Sequence, residues 1–272
     1  MRGADSIGPM ITRASIWWPW GAAMAGWFVS SIVMGIIRTL KRAQNMAGAA
    51  QELGLKFTAW MGPESAPRFG TELFQSGSAG GCHDVMTGNF AGLDVQVFDY
   101  SRNTGVPGYS TNTARTVAVT VAQTVAVYTQ NVDLPAFTLE AASFAGKIVD
   151  AIQHQKVDLD SAPDFSRQYA VHGVEKDRIR SLFNDRLVSF LGGLDRSHGW
   201  HIEGAGKALV LYRYGRRVKP AELRDFLQET STIAQSFFAY AGAKAASVVA
   251  EQDPGKGPSH GKWSVSVKVG GF

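Results

Sequence analysis

Cysteine is almost absent from this chain: Cys82 is the only one in 272 residues. An intrachain disulfide is therefore excluded, as is a zinc site assembled from cysteines. One thiol is also compatible with a reducing cytosol. Charge is scarce as well, at 18% of the residues, and the scarcity is uneven. From Ile16 to Ile37 there is no charged residue at all.

That uncharged stretch, IWWPWGAAMAGWFVSSIVMGII, dominates the reading. As a helix rising 1.5 Å per residue it reaches roughly 33 Å, about one hydrocarbon core. Arg38, Lys41 and Arg42 close it on one side and Arg13 stands outside the other. A cleaved signal peptide would end at a small-x-small site, which Ala23-Met24-Ala25 imitates, but the apolar run continues through Trp27, Phe28, Val29 and Ile32. A buried core helix rarely stays uncharged over such a length. Trp17, Trp18 and Trp20 cluster at one end as interfacial aromatics do, and Pro19 is tolerated in a first turn. The expectation is a signal-anchor: one transmembrane helix over residues 16–37. The three bases after the span favour a short outer N-terminus and a cytoplasmic C-terminal domain.

The net charge belongs to this anchor. Within residues 1–42, Arg2, Arg13, Arg38, Lys41 and Arg42 stand against Asp5 alone, a net +4; the whole chain is also +4, so residues 43–272 are neutral. A neutral domain argues against nucleic acid as partner, and a basic anchor suits anionic lipid.

Beyond the anchor, residues 38–53 predict a juxtamembrane helix stopping at Gly54, followed by Gly/Pro/Ser-rich loops near 62–67 and 77–81. Leu93, Val95 and Val97 alternate with polar residues up to Phe98-Asp99-Tyr100. After a loop, Val117, Val119, Val121, Val125 and Val127 alternate with Thr116, Thr120, Thr124 and alanines. Period-2 patterning of this length predicts antiparallel strands with the valines buried and the threonines more exposed. Leu134–Leu139 reads as a further strand and residues 140–152 as a helix. The second half predicts a strand over Phe165–Val171, then one amphipathic helix through Ile179, Leu182, Phe183, Leu187 and Leu191 up to Gly192-Gly193. It continues with a hairpin turning at Gly204–Lys207 and a last helix from Pro220. A Gly/Pro/Ser linker leads to an alternating tail at Trp263–Val269.

Several of these segments carry a resemblance. Val97-Phe98-Asp99-Tyr100, Leu134-Pro135-x-Phe137-x-Leu139-Glu140, Phe165-x-Arg167-x-Tyr169 and the Ile202-Glu203 to Leu211-Tyr212 region are similar to a group of uncharacterised bacterial membrane-anchored proteins. The resemblance covers about residues 50–240. It implies membrane helices at the N-terminus and a soluble α+β domain, and it brings no reaction with it.

Candidate chemistry is thin. Cys82-His83 are neighbours that an extended strand would point to opposite faces. His198 and His201 are spaced H-x-x-H beside Glu203, but in a segment that reads as turn and strand rather than helix; His154, His172 and His260 are isolated. Gly204-Ala205-Gly206-Lys207 lacks the Ser/Thr and the spacing of a phosphate loop. Asp99, between two aromatics, is either an outward, solvated side chain or a buried acceptor for a hydroxyl or an arginine, and a structural hydrogen-bonding role is favoured over a catalytic one. Arg213, Arg216, Arg217 and Lys219 form a basic, aromatic-flanked loop suited to anionic lipid or a partner. No catalytic residue, cofactor or metal site is expected.

The sequence thus predicts an N-terminal segment (1–15), a transmembrane helix (16–37), a juxtamembrane helix (38–53), a soluble α+β domain (54–246, divisible at 54–155 and 160–246) and a linker and tail (247–272). The domain combines an antiparallel sheet with packed amphipathic helices. The expected function is a membrane-anchored, non-enzymatic interaction or scaffold protein, with the lipid bilayer and a membrane or cytoplasmic protein as partners. A lipid-headgroup or small-ligand binding module is the first alternative, and an enzyme with an unrecognised site the second.

Overall fold

The computed structural model describes residues 18–61, 69–75, 81–108, 115–142, 156–159, 162–194 and 199–252. It opens with helix α1 (Trp18–Glu52), followed by strand β1 (Lys56–Met61), the short α2 (Glu72–Gln75), β2 (Cys82–Phe90), β3 (Leu93–Gly108) and β4 (Arg115–Ala141). Then come α3 (Pro163–Gln168), β5 (Tyr169–Gly173), α4 (Lys176–Leu182), α5 (Asp185–Gly192), β6 (Trp200–Arg213), a 3-10 turn (Pro220–Glu222) and α6 (Leu223–Gln252). The fold is α+β, an N-terminal apolar helix followed by an antiparallel sheet with packed helices.

One 35-residue helix combines the two predicted as anchor and juxtamembrane segment. From Ala23 to Lys41 every residue is exposed, among them Trp27, Phe28, Ile32, Ile36 and Ile37. Burial begins only at Met46 and Ala50. Among the described residues this is the one helix long and apolar enough to cross a membrane. It ends as expected: Gly54 takes φ +71°, the Leu55 N–H donates to Ala50 O and the Gly54 N–H to Gln51 O. This double closure needs a residue without Cβ strain in the left-handed region.

All six strands join one antiparallel sheet, in the order β1-β2-β3-β4-β5 with β6 also on β4. The 27-residue β4 is its spine. On one edge it pairs with β3 along 115–129 and with β5 along 137–141, and on the other with β6 along 125–139. On one face α6, α3–α5 and the end of α1 cover Val95, Val97, Tyr128, Phe137, Leu209 and Leu211. On the other, Leu73, Phe69 and Phe74 cover Phe98, Tyr100, Val125, Val127, Val210 and Tyr212.

Coverage of both faces corrects the one-sided register. Val125 and Val127 are buried, but Gln123, Thr124, Ala126 and Tyr128 are too, because the centre of the sheet has no solvent face. Thr120, further out, is exposed as predicted; the side chains of residues 116, 117 and 119 lie outside the described set. Glu140 belongs to β4 and not to a helix, and residues 143–152 are outside the description. Leu134–Leu139 is no separate strand but the continuation of β4 past two register shifts.

Three further expectations change. Phe165–Val171 splits into α3 and β5, since Pro163 and Asp164 supply a helix start. The helix through Ile179 and Leu191 breaks at Phe183-Asn184, where the Asn184 side chain accepts from the Arg186 and Leu187 N–H groups and caps α5. The hairpin at Gly204–Lys207 is absent. β6 runs straight through it, and Gly206 and Gly204 pair with Leu134 and Phe137 at two register shifts whose extra residues lie on β4. Glycine is required there: a Cβ on Gly204 would lie 2.3 Å from the Phe137 ring. As expected, Pro220 leads into the last helix.

Candidate functional site at the helix–sheet junction

Where α1 meets the sheet, four charged side chains from four parts of the chain converge. Asp99 on β3 points to the α1 face and is 4% exposed. Its Oδ2 accepts from Arg42 (Nη2 2.6 Å, Nε 3.1 Å) and from Arg217 (Nη2 2.6 Å, Nε 2.8 Å). Its Oδ1 accepts from Thr124 Oγ1 at 2.5 Å. Arg42 also donates to Val218 O at 2.9 Å, and the Val218 N–H donates to Thr124 Oγ1 at 2.8 Å. The loop after β6 is thereby closed over the pair.

Asp84 is the second acid. It lies at a bulge in β2 between His83 and Met86 and takes φ +51°, a conformation that aspartate tolerates. The extra residue turns Asp84 to the α1 side, 3.3 Å from Arg42 Nε and 3.9 Å from Arg217 Nη2. Burial, with the neighbouring charge of Asp99, holds its carboxyl above the usual range, against the pull of both guanidiniums. Two buried acids balanced by two arginines form an electrostatic clamp in which the formal charges cancel.

A second polar cluster lies under the other face. Glu203 Oε2 accepts from the Leu73 N–H (2.9 Å) and Oε1 from Tyr212 OH (2.7 Å). His201 stacks on Tyr212 at 5.1 Å and lies 3.9 Å from Glu140, which is 3.8 Å from His172. Burial raises the carboxyls of Glu203 and Glu140 and, with the charge of Arg102, lowers His201 to about 4, so the imidazole is neutral at physiological pH. The cluster pins α2 to the sheet. Among the described residues no group of three His, Cys, Asp or Glu could hold a metal ion. His198, His154 and His260 lie outside the description. Cys82 is buried, with its thiol pushed up to about 11, and exposed His83 gives it no activation.

The bases predicted to act together are divided. Arg38 and Lys41 are exposed on α1, but Arg42 is drawn into the clamp. Arg213 lies over the Trp200 ring at 4.3 Å and pairs with Glu229 at 2.5 Å. Arg217 serves Asp99, Lys219 reaches Glu222 at 3.0 Å, and Arg216 is exposed. Asp99 is the buried acceptor the sequence suggested. Nothing in the sequence paired it with Arg42 and Arg217, which are 57 and 118 positions away. A cleft of about 300 Å³ between α5 and α6, lined by Phe190, Leu194, Asp225 and Glu229 among others, lies apart from both clusters.

No family model matches the chain, and no curated protein matches it. Among solved structures it is similar to the crystal structure of the mycobacterial trehalose monomycolate transport factor A, TtfA. The two share the fold. The TM-score is 0.50 over 73% of this chain and 93% of that one, at 11% identity.

Proposed function

We propose that this chain is a membrane-anchored, non-enzymatic interaction module. It crosses the bilayer once through α1 and carries residues 54–246 on the cytoplasmic side as a scaffold for a membrane or cytoplasmic protein. The observation that carries this reading is the clamp. Arg42, on the helix that leaves the domain, is bound to Asp99, Asp84 and Val218 O. The domain is thus fixed to its anchor instead of swinging on a linker. A surface held at constant height and orientation above a bilayer raises the effective concentration for partners confined to the same plane. In the clamp two carboxylates are matched by two guanidiniums, which supports a structural role for it. TtfA, which shares the fold, is named a transport factor, a description compatible with a non-enzymatic accessory role.

The test is co-purification from membranes of the full-length chain, of a chain lacking α1, and of α1 alone. The reading expects a discrete set of membrane proteins that requires both α1 and the domain. The same proteins recovered with α1 alone, or none with any of the three, would contradict it.

A further inference from the structure

Strand register places several exposed groups on one rim of the domain. Trp60 on β1 pairs with His83 on β2, His83 with Asp99 on β3, and Asp99 with Thr124 on β4. The Thr124 N–H then donates to Arg216 O. One row therefore runs across the sheet from Trp60 to Arg216, and Arg42 of α1 docks on it at Asp99. The direction of α1 is set by its other end: Leu55 packs on Gly88, which pairs with Val95, so from 55 back to 42 the helix runs with β3 from 95 to 99. Continuing past Arg42, the apolar part of α1 leaves the domain at this rim.

The distance from Ile37 to Arg42 is about 7.5 Å along the helix, close to the thickness of one headgroup layer. The row therefore sits at headgroup depth when the apolar run fills the hydrocarbon core. What it exposes there is what an interface takes. Trp60 is 57% exposed on an edge strand, Arg216 is exposed at the far end of the row, and Arg38 and Lys41 are exposed on α1 between domain and span. Tryptophan prefers the boundary between apolar and wet regions, and unpaired bases meet anionic headgroups. Past the same row β3 and β4 continue as a two-stranded ribbon, 101–108 against 115–122, with no charged residue in 103–108 or 116–123. Its edges are open among the described residues, which bars it from hydrocarbon, and at about 3.3 Å per residue it outreaches the headgroup layer, so in this contact it lies along the bilayer surface and not along the line of α1.

We infer that this rim is a second membrane contact, in which Trp60 inserts at the interface and Arg216, with Arg38 and Lys41, engages anionic lipid headgroups. The inference rests on α1 being the anchor, and the experiment separates the two. Single cysteines at Leu40, Trp60, Arg216 and Asn89 of the full-length chain are labelled with an environment-sensitive fluorophore, the buried Cys82 being left in place. The protein is reconstituted into phosphatidylcholine–phosphatidylglycerol vesicles containing shallow nitroxide lipids. Asn89, exposed at the opposite end of the sheet, is the baseline.

Quenching at 40, 60 and 216 several-fold above that at 89 is the expected result, and Arg216→Gln should lower the quenching at 60. Quenching at 40 with 60 and 216 no different from 89 would overturn the rim contact and leave the anchor standing. No quenching at 40 would overturn both. In a further arm the label sits at Thr58, on the same face of β1 as Trp60, and Trp60→Ala should reduce its quenching; unchanged quenching would overturn the role of Trp60.

Discussion

Replacing Asp99 by Asn removes one charge at nearly constant shape, and the geometry of the clamp sets the cost. Asp99 is 4% exposed and receives both guanidiniums and the Thr124 hydroxyl. Breaking a buried ion pair by removing one partner costs about 3–5 kcal/mol. Two features reduce that here. Arg42 and Arg217 are 20% and 43% exposed, so solvent screens them, and Asp84 stands 3.3 and 3.9 Å away as an alternative partner whose own repulsion from Asp99 is relieved. The expected loss is about 2–4 kcal/mol. For a domain of this size it lowers the melting temperature by roughly 6–12 °C. Fluorescence-detected thermal unfolding of full-length protein in nanodiscs measures it, the tryptophans serving as reporters. Arg42→Met should cost a similar amount, and the Asp99→Asn/Arg42→Met pair much less than their sum, because they break one unit. An Asp99→Asn protein melting within about 1 °C of wild type would refute the clamp as a stabilising element.

The same geometry sets other outcomes. Gly204→Ala places a Cβ 2.3 Å from the Phe137 ring and should cost about 1–3 kcal/mol in denaturant unfolding, whereas Gly92→Ala, with nothing within 4 Å, leaves only the strain of φ +82°. Asn184→Ala removes the cap of α5 and should cost about 0.5–2 kcal/mol by the same measurement. His201 is held at about 4, below its unfolded value. The unfolded chain therefore binds the extra proton first, and stability falls as pH drops from about 6.5 toward 4. The His201→Gln protein should lack that part of the slope, while the opposing contributions of Glu203 and Glu140 remain in both; equal slopes would refute the buried neutral imidazole. Alkylation of Cys82 should be slow at pH 8 in the native state and fast in denaturant, since its thiol is buried and raised to about 11.

The helix that defines the chain was legible because length and lack of charge are one-dimensional properties. Gly54 as its stop was legible for the same local reason. Strand alternation was legible only in part. Val125 and Val127 are buried as the pattern says, yet Thr124 is buried with them, because whether the second face is covered depends on α6 and α1, both far away in the chain. Gly204-Ala205-Gly206 signalled a turn, but glycine also permits close approach within a strand, and the Phe137 ring of the neighbouring strand fills the space that a side chain at 204 would need. The clamp was invisible. Arg42 looked like an anchor flank and Arg217 like part of a basic loop, and only the register of β2, β3 and β4 brings them to one carboxylate. Asp84 reaches it through a bulge that no sequence pattern announces.

The structure also moves the boundary at which the domain can be separated from the membrane. A chain beginning at residue 43 lacks Arg42 and leaves Asp84 and Asp99 to Arg217, so it should be less stable than one beginning at residue 39, which keeps the clamp and omits the apolar run.

Extraction of the full-length protein from membranes with alkaline carbonate tests the anchor most directly. If residues 16–37 cross the bilayer, the chain stays in the membrane pellet through high-salt and carbonate washes, while the chain beginning at residue 39 is released. Recovery of the full-length chain in the carbonate supernatant would contradict the anchor, and with it the proposal that the clamp fixes the domain above a membrane.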